Sequence, residues 1–364
     1  MNHTCTLTVF HGAHQPLTLE TTPVPAPGFG EILVRNRYVT LCRSDLTTFA
    51  GKRQEATPTI LGHEVVGDIA AFGPGAPVRD CRGAELRPGD RVTWAIYAAD
   101  PDTELARAGI PQKASGLFKY GHELLKPDRT LHGGLAEYCL LRRHTPLLRL
   151  DPAIPLPVAA LINCSIATAA GSLRLAGDVK DRNVLVTGAG MLGVVACALC
   201  RSAGARQIIA ADIDDSRLAV AQTFGADRTL NLRTLSPAPA GAFSDLLHGA
   251  PLHVGLDFSG VPETMEQMLA ALGIGGTAVL VGATFPQRDL AVNAERMIRR
   301  LLTIKGLHNY NEADFRAAVE FIERNHARFP FAELVVDRFE LNTVNEAFAE
   351  ALQSGAYRVG IRIP

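Results

Sequence analysis

Two cysteines and a histidine are the residues of this sequence whose side chains most clearly suggest chemistry. Cys42 and His63 lie in one short span, and Cys164 follows far along the chain. Thiolate and imidazole groups are ligands that suit zinc, and three protein ligands leave the fourth position of the metal open for a substrate. The alternative is structural, because a buried cysteine often acts as a small apolar residue.

A glycine-rich turn is the second chemical signal, and it fits the pattern G-x-G-x-x-G. Its members are Gly188, Gly190, Met191, Leu192 and Gly193. It follows an apolar run at 183–187 and opens a helical pattern, which is the setting of a dinucleotide-binding turn. Glycine allows a tight turn close to a pyrophosphate, which the N-terminus of the helix attracts. The alternative is a plain turn without a ligand.

An acidic residue follows this turn at the distance that the fingerprint requires. Asp212 ends the next apolar run and is expected to accept hydrogen bonds from a ribose. With Asp214 and Asp215 nearby, it would repel an added phosphate, so we expect NAD rather than NADP. Arg217 either lies along the same ribose or is a solvated helix residue.

Two kinds of secondary structure must position these residues. Residues 1–40 alternate apolar and polar side chains between prolines and glycines, which indicates short antiparallel strands. From about residue 155, apolar runs alternate with helical patterns, which indicates a doubly wound parallel sheet. The sequence therefore predicts an α/β protein with a strand-rich first part.

Composition excludes several classes of partner. The chain has 364 residues, enough for two domains, with 36 basic and 37 acidic side chains. This balance gives no reason to expect nucleic acid as a partner, so a small-molecule substrate is the better expectation. Seven cysteines form no dense disulfide pattern, and no secretion signal or membrane segment is recognised. We expect a cytoplasmic protein.

Several motifs together resemble one known family. They are Leu41-Cys42-Arg43-Ser44-Asp45-Leu46, Gly62-His63-Glu64-Val65-Val66-Gly67, Gly89-Asp90-Arg91-Val92, Gly133-Gly134-Leu135-Ala136-Glu137-Tyr138, Asn163-Cys164 with Thr168 just after, and the turn at 188–193. The chain resembles the zinc-dependent alcohol dehydrogenases of the medium-chain dehydrogenase/reductase superfamily. The resemblance covers nearly the whole chain.

This resemblance implies roles around the metal. Cys42, His63 and Cys164 would hold a catalytic zinc, with Glu64 close behind them, either outside the ligand set or as an exchanging ligand. Ser44 matches the hydroxyl that begins the proton relay of the family. Many members continue the relay through a histidine, where this chain has Thr47, so the final proton acceptor stays open.

It also implies roles around the cofactor and a domain order. Arg43 and Thr168 match positions that contact the cofactor in family members, and a surface arginine is the alternative for Arg43. The expected domains are a GroES-like β-barrel catalytic domain at 1–163, a Rossmann NAD-binding domain at 164–307, and a return to the catalytic domain at 308–364. The resemblance places the active site in the cleft between the domains.

One departure concerns a second metal. Family members often carry four cysteines that hold a structural zinc. The corresponding residues here are Asp100, Thr103, Ala106 and Ala114. We therefore expect one zinc per chain, and a lobe that is more mobile unless packing replaces the metal.

A further expectation concerns the substrate. Within the family, the segments at 91–94, 117–123 and 304–310 look most like the branch associated with phosphonate catabolism. An anionic substrate would then meet a basic group near the return of the chain. Its members are Arg299, Arg300, Lys305 and His308. The alternative is that the two arginines are solvated helix charges.

The sequence also predicts an assembly of several chains and leaves two alternative functions open. The run at 277–281 is expected to be an open edge strand that pairs in a homodimer or a dimer of dimers. A zinc-free reductase of the same superfamily is one alternative, and a non-catalytic binding protein on the same fold is another. Both alternatives predict loss of the metal ligands, which this chain keeps.

Overall fold

The structure is a computed structural model, and it describes residues 4–126, 131–235, 243 and 246–364. The strands, in chain order, are β1 Thr4–Val9, β2 Thr18–Pro23, β3 Ile32–Thr40, β4 Glu64–Phe72, β5 Arg91–Trp94, β6 Tyr97–Ala98, β7 Phe118–Lys119, β8 Tyr138–Leu141, β9 Leu147–Arg149, β10 Asn183–Thr187, β11 Gln207–Asp212, β12 Arg228–Asn231, β13 Leu252–Asp257, β14 Leu272–Leu280, β15 Thr303–Gly306, β16 Val335–Glu340 and β17 Arg358–Arg362.

The helices are shorter and fewer in the first half of the chain. In chain order they are α1 Arg43–Phe49, α2 Glu104–Arg107, α3 Leu156–Ala159, α4 Ala167–Ala176, α5 Met191–Ser202, α6 Asp215–Thr223, α7 Pro262–Ala271, α8 Ala294–Arg300, α9 Glu312–Asn325 and α10 Val344–Gln353. A single π-helical turn, Ile162–Ile166, lies between α3 and α4.

The chain forms two compact units. The first comprises Met1–Cys164, Asn311–Ala327 and Phe331–Pro364, and the second comprises Ser165–Tyr310 and Arg328–Pro330. The expected boundaries after residues 163 and 307 differ from these by 1 and 3 residues. The expectation also missed that residues 328–330 group with the second unit.

The first unit is built on a seven-stranded sheet. Its order is β16-β17-β3-β4-β5-β9, and β8 also pairs with β3. Strands β3 and β4 run antiparallel with Thr40 opposite Glu64. This register matters for the site, because Cys42 follows the end of β3 and His63 comes directly before β4. The pairing of the two strands therefore places both residues at the same end of the sheet.

The second unit is the doubly wound sheet that the sequence predicts. Its six strands run parallel in the order β12-β11-β10-β13-β14-β15. Strands of such a sheet read as continuous apolar runs because both faces are covered. Asn183–Thr187 is buried along its whole length, as this rule requires. The carboxyl end of that strand leads into the glycine-rich turn.

Among the residues that the structure describes, one apolar helical stretch is long enough to cross a membrane. It is Leu156–Ala176, with 21 residues, and 78% of its most apolar window is buried inside the protein. A core helix meets the same criteria of length and composition. The stretch therefore gives no reason to expect a membrane segment.

Candidate active site

Cys42, His63 and Cys164 come together in the first unit. Each offers one ligand atom, and these atoms all lie within 4.8 Å of one another. Cys42 caps the start of α1, His63 precedes β4, and Cys164 lies in the π-helical turn. Two sulfur atoms and one imidazole nitrogen are a donor set that zinc accepts in tetrahedral geometry, with one position left over. The residues present therefore fit the metal.

A buried carboxylate ties two of these residues together. Asp45 Oδ2 accepts the backbone N–H of Cys42 at 2.9 Å, and its Oδ1 accepts that of Gly62 at 3.1 Å. The same Oδ1 lies 3.3 Å from Nδ1 of His63. Burial alone would lower the pKa of His63, but the charge and hydrogen bonding of Asp45 raise it well above its usual value. With Nδ1 turned to Asp45, Nε2 is the nitrogen that can bind a metal.

The pKa values of the two thiols of the set are shifted in opposite directions. The Cys164 thiol donates to Cys42, and this hydrogen bond lowers the pKa of Cys42 well below its usual range, assisted by the charges of Arg358 and His63. The same hydrogen bond, together with burial, raises the pKa of Cys164. Metal ligands must be deprotonated, so metal binding would release the remaining proton.

Glu64 is held away from this set by an arginine that the sequence did not reveal. Arg358 donates to both carboxylate oxygens of Glu64, at 2.6 and 2.8 Å, and Thr40 Oγ1 donates at 2.7 Å. Burial raises the pKa of Glu64, and the charge of Arg358 opposes the rise. A buried carboxylate needs such a counter-charge. Arg358 and Thr40 therefore bind the carboxylate of Glu64 in this structure, and its role as an outer-shell or exchanging ligand of the metal stays a prediction.

Arg358 also faces the metal set. Its Nη2 lies 3.7 Å from Sγ of Cys42. It is separated from Glu64 by 294 positions in the sequence, so no local pattern could have paired them. The only signal in the sequence was the charge of Arg358 itself, which directly precedes the apolar residues at 359–361 on β17.

An amide side chain joins the two distant ligand segments. Asn163 Nδ2 donates to the carbonyl oxygens of His63 at 2.8 Å and Trp94 at 2.9 Å. Its Oδ1 accepts the N–H of Val65 at 3.2 Å. Because Asn163 precedes Cys164 directly, this amide fixes the position of the third ligand relative to the second.

Ser44 lies beside the histidine of the set. Its Oγ is 3.3 Å from Nε2 of His63. Thr47, one turn further along α1, donates its hydroxyl to the carbonyl oxygen of Ser44 at 3.0 Å. The hydroxyl of Ser44 is therefore the one placed at the metal side of the helix.

The glycine-rich turn of the second unit has the shape that the sequence predicts. Gly188 has a φ of +85°, and a Cβ there would come within 2.6 Å of the backbone nitrogen of Ser259. A Cβ on Gly193 would overlap the carbonyl oxygen of Gly188. Gly190 is the N-cap of α5, so Met191 and Leu192 form its first turn. Only glycine fits the first and last of these positions.

Asp212 hydrogen-bonds the backbone of the same turn. Its Oδ2 accepts the N–H of Ala189 at 2.6 Å, and its Oδ1 accepts that of Ile213 at 2.7 Å. Arg217 lies alongside, with Nη1 3.5 Å from the place where a Cβ of Gly190 would be. A carboxylate can accept about four hydrogen bonds, so Asp212 keeps capacity for a further donor. Contacts with a ribose stay a prediction.

The two remaining residues predicted to contact the cofactor lie in α1 and α4. Arg43 is exposed at the first position of α1, and Thr168 is buried in α4. Their contacts with a cofactor stay predictions.

The basic group expected near the return of the chain is used for structure. Arg300 Nη1 donates to the carbonyl oxygen of Leu272 at 2.9 Å, and Lys305 Nζ donates to that of Leu175 at 2.8 Å. Arg299 pairs with Glu295 on the exposed face of α8. These three side chains therefore have partners within the protein, and the binding of an anion by this basic group stays a prediction.

The lobe that lacks cysteines is held by hydrogen bonds. Thr103 caps α2, donating its hydroxyl to the carbonyl oxygen of Asp100 at 2.9 Å. Asp100 in turn accepts the N–H of Asp102 at 2.9 Å. Asn311 Nδ2 donates to the carbonyl oxygen of Gly109 at 3.2 Å, which links the lobe to α9. These hydrogen bonds hold the lobe without any metal ligand, and the expectation of a single zinc per chain stays a prediction.

Comparison with known domain families gives two matches, one within the first unit and one that covers most of the second unit and continues into residues 311–324 of the first. Residues 28–152 match the family described as alcohol dehydrogenase GroES-like domain. Residues 192–324 match the family described as zinc-binding dehydrogenase. The first match confirms the GroES-like domain of the predicted fold class.

Characterised relatives and solved structures cover nearly the whole chain. L-threonine 3-dehydrogenase of Aeromonas hydrophila is 26% identical over 351 residues, covering 94% of this chain and 95% of the relative. L-threonine 3-dehydrogenase of Streptomyces avermitilis is 28% identical, with 93% and 94% covered. An alcohol dehydrogenase from Thermotoga maritima superposes with a TM-score of 0.92 at 25% identity, with 100% of both chains covered.

Proposed function

The chain belongs to the zinc-binding alcohol dehydrogenases of the medium-chain dehydrogenase/reductase superfamily, and from this premise we propose that it transfers hydride between NAD and a small alcohol or its carbonyl product. The observation that carries the proposal is the set of Cys42, His63 and Cys164, whose ligand atoms lie within 4.8 Å of one another. The fold brings Cys164, about 100 residues further along the chain, to the two donors of the earlier span, and all three are of the type that zinc prefers.

The residues around the metal would each have a separate role. When bound, zinc acts as a Lewis acid that lowers the pKa of a substrate hydroxyl. Ser44 would accept the proton of that hydroxyl, since its own hydroxyl lies beside His63. Thr47 has no basic group, so the proton leaves Ser44 towards cofactor hydroxyls or water. Asp45 keeps His63 in the orientation that presents Nε2.

Metal analysis together with a substrate panel tests the proposal. We expect one zinc per chain and zinc-dependent formation of NADH from at least one small alcohol. The panel includes L-threonine, because the named relatives are L-threonine 3-dehydrogenases, and hydroxyalkylphosphonates, because of the branch resemblance. A protein that turns over substrates without zinc would support the zinc-free reductase instead. Tight NAD binding with no turnover of any substrate would support a binding protein.

The first prediction for this function concerns the choice of cofactor. We expect kcat/KM for NAD to exceed that for NADP by about 100-fold or more, because a phosphate beside the Asp212 carboxylate places two like charges together. Asp212→Ser should reduce this ratio. Glu263→Gln is the control and should leave the ratio unchanged, since it removes an exposed carboxylate of the same unit that pairs with Arg288. Equal kcat/KM values for the two cofactors in the unaltered enzyme would contradict the assignment.

The second prediction concerns assembly and begins with a correction. The run at 277–281 is not an edge strand, because β14 lies between β13 and β15. Among the described residues, β15 is the strand at this edge of the sheet, and large apolar side chains lie exposed in the same stretch of chain. They are Ile274, Ile298 and Leu301, with 78%, 74% and 71% of their surface exposed. We expect this edge and these side chains to be covered by a second copy of the chain.

Sedimentation velocity at micromolar concentration checks this assembly. The unaltered protein should sediment as a dimer or a larger even assembly. Ile298→Glu with Leu301→Glu should shift it towards monomer, because charges would then be buried at the interface. Val78→Glu, a change of an exposed apolar residue in the first unit, is the matched control. A monomeric unaltered protein would rule the dimer out.

A further inference from the structure

A second histidine lies against the histidine of the metal set. The ring centroids of His122 and His63 are 5.3 Å apart, and the ring planes are tilted by 32°. This distance is in the range of aromatic rings that pack with an offset. Both residues belong to the first unit, and His122 lies outside the group of candidate ligands. The mechanism described above gives His122 no role.

The contact between the two rings is built into the backbone. Gly62 and Gly121 directly precede the two histidines, and their φ angles are +88° and +77°. A Cβ on Gly121 would come within 2.9 Å of the carbonyl oxygen of Gly62. The two segments therefore approach more closely than a residue with a Cβ would allow at this position. The histidine that follows each glycine is placed beside the other by this approach.

The ring of His122 is itself held by a carboxylate. Its Nδ1 donates to Oε1 of Glu55 at 3.0 Å, because an ionised carboxylate can only accept. Nε of Arg53 lies 2.6 Å from the same oxygen. The side chains of His122 and Glu55 are 10% and 13% exposed, so little water competes for this bond. Glu55 and Arg53 therefore fix the orientation of the His122 ring.

The His63 ring has two further contacts, and both are at its nitrogen atoms. Oδ1 of Asp45 lies 3.3 Å from Nδ1, and Oγ of Ser44 lies 3.3 Å from Nε2. Contacts at the two nitrogens leave the ring able to tilt about the line that joins them. The packed ring of His122 restricts this tilt. The direction in which Nε2 presents its lone pair to a metal depends on it.

We propose that His122 is a positioning residue of the metal set. Its ring keeps the ring of His63 in the orientation in which Nε2 can bind the metal, and Glu55 and Arg53 hold His122 in turn. The inference rests on the proposed dehydrogenase function, because that function assigns His63 to zinc. Partners that orient a metal-binding histidine change metal affinity by about 10- to 100-fold when they are removed.

Zinc affinity and the spectrum of the cobalt-substituted protein test the proposal. In competition with a chelator, His122→Ala should bind zinc about 10- to 100-fold more weakly than the unaltered protein. The visible absorption bands of bound cobalt should also shift, because they report the arrangement of the ligands around the ion. His122→Phe keeps a ring against His63 and should restore most of the affinity and the original bands. A general loss of stability would not move these bands.

His253→Ala is the matched control. His253 is a partly buried histidine of the second unit, and its Nδ1 also makes one hydrogen bond, with the N–H of Asn183 at 3.0 Å. This variant should keep the zinc affinity and the cobalt bands of the unaltered protein. If His122→Ala changes neither quantity more than His253→Ala does, the inference is overturned.

A double variant tests whether Glu55 acts through His122. Glu55→Ala should weaken zinc binding by a smaller factor than His122→Ala, because the ring stays in place but loses its hydrogen bond. Combining the two changes should add little to the effect of His122→Ala, since both act on the same ring. Effects that multiply fully in the double variant would show that Glu55 acts independently and would overturn its part in the proposal.

These measurements also separate this inference from the proposed function. If the unaltered protein binds zinc and oxidises an alcohol while His122→Ala keeps its zinc affinity and cobalt bands, the inference alone fails. If the unaltered protein binds neither zinc nor cobalt, the proposed function and the inference both fail. Weaker zinc binding and shifted bands in His122→Ala, with rescue by His122→Phe, are the expected result.

Discussion

Replacing Cys42 with serine should remove the bound zinc and lower kcat/KM by about 10³-fold or more. The reason is that Lewis-acid stabilisation supplies several kcal/mol, and each 1.4 kcal/mol corresponds to about tenfold in rate. Serine keeps the size of the side chain but is a poor zinc ligand, so the two remaining ligands cannot hold the ion. Zinc content by mass spectrometry of the native protein and NADH formation by absorbance measure both effects.

Cys81→Ser is the matched control for this change. Cys81 is a half-buried free cysteine like Cys42, but it lies outside the group of candidate ligands. Cys81→Ser should keep one zinc and full turnover, and circular dichroism should show that both variants are folded. Full turnover by Cys42→Ser would contradict the assignment of the site. Two tightly held zinc ions in the unaltered protein would contradict the loss of the second metal.

Replacing Arg358 with leucine should cost about 3–5 kcal/mol of unfolding free energy, because the buried carboxylate of Glu64 loses its counter-charge. Arg358 donates to both oxygens of Glu64, and both side chains are buried. Since Arg358 also faces Cys42, we expect weaker zinc retention in the same variant. Denaturant unfolding of the zinc-loaded protein measures the first effect, and competition with a chelator measures the second.

Two further variants separate pairing from the loss of an arginine in general. Glu64→Leu combined with Arg358→Leu should recover much of the lost stability, since no unpaired charge then remains buried. Arg338→Leu removes an arginine whose partner Glu350 lies at the surface, and should cost far less. If Arg358→Leu is no more destabilising than Arg338→Leu, the buried pair is not important for stability.

Local patterns predicted those elements whose cause is itself local. The apolar run at 183–187 gives β10 with the predicted bounds, because both faces of a parallel sheet are covered. The sequence of α10 has its own local cause, since its apolar side chains follow the helical period. The glycine-rich turn was also predictable from local sequence, because the backbone conformation of Gly188 admits few residues other than glycine.

Features that depend on distant pairing could not be predicted. The order of strands decides which one lies at the sheet edge, and the short, exposed β15 gave no apolar signal to compete with β14. The Glu64 and Arg358 pair depends on β17 lying beside β3. No sequence pattern pairs His122 with His63, and only the folded chain brings the two rings together.

The hydrogen-bonded lobe at 100–114 affects how the fold of this protein would respond to a shortage of zinc. A lobe held by four thiolates would lose its fold when metal is scarce and would be open to oxidation of those thiolates. Here the cap of Thr103 and the contact from Asn311 hold the lobe without metal or cysteine. Zinc starvation would then silence turnover and leave the protein folded. Activity would return when the metal does, without new synthesis of the chain.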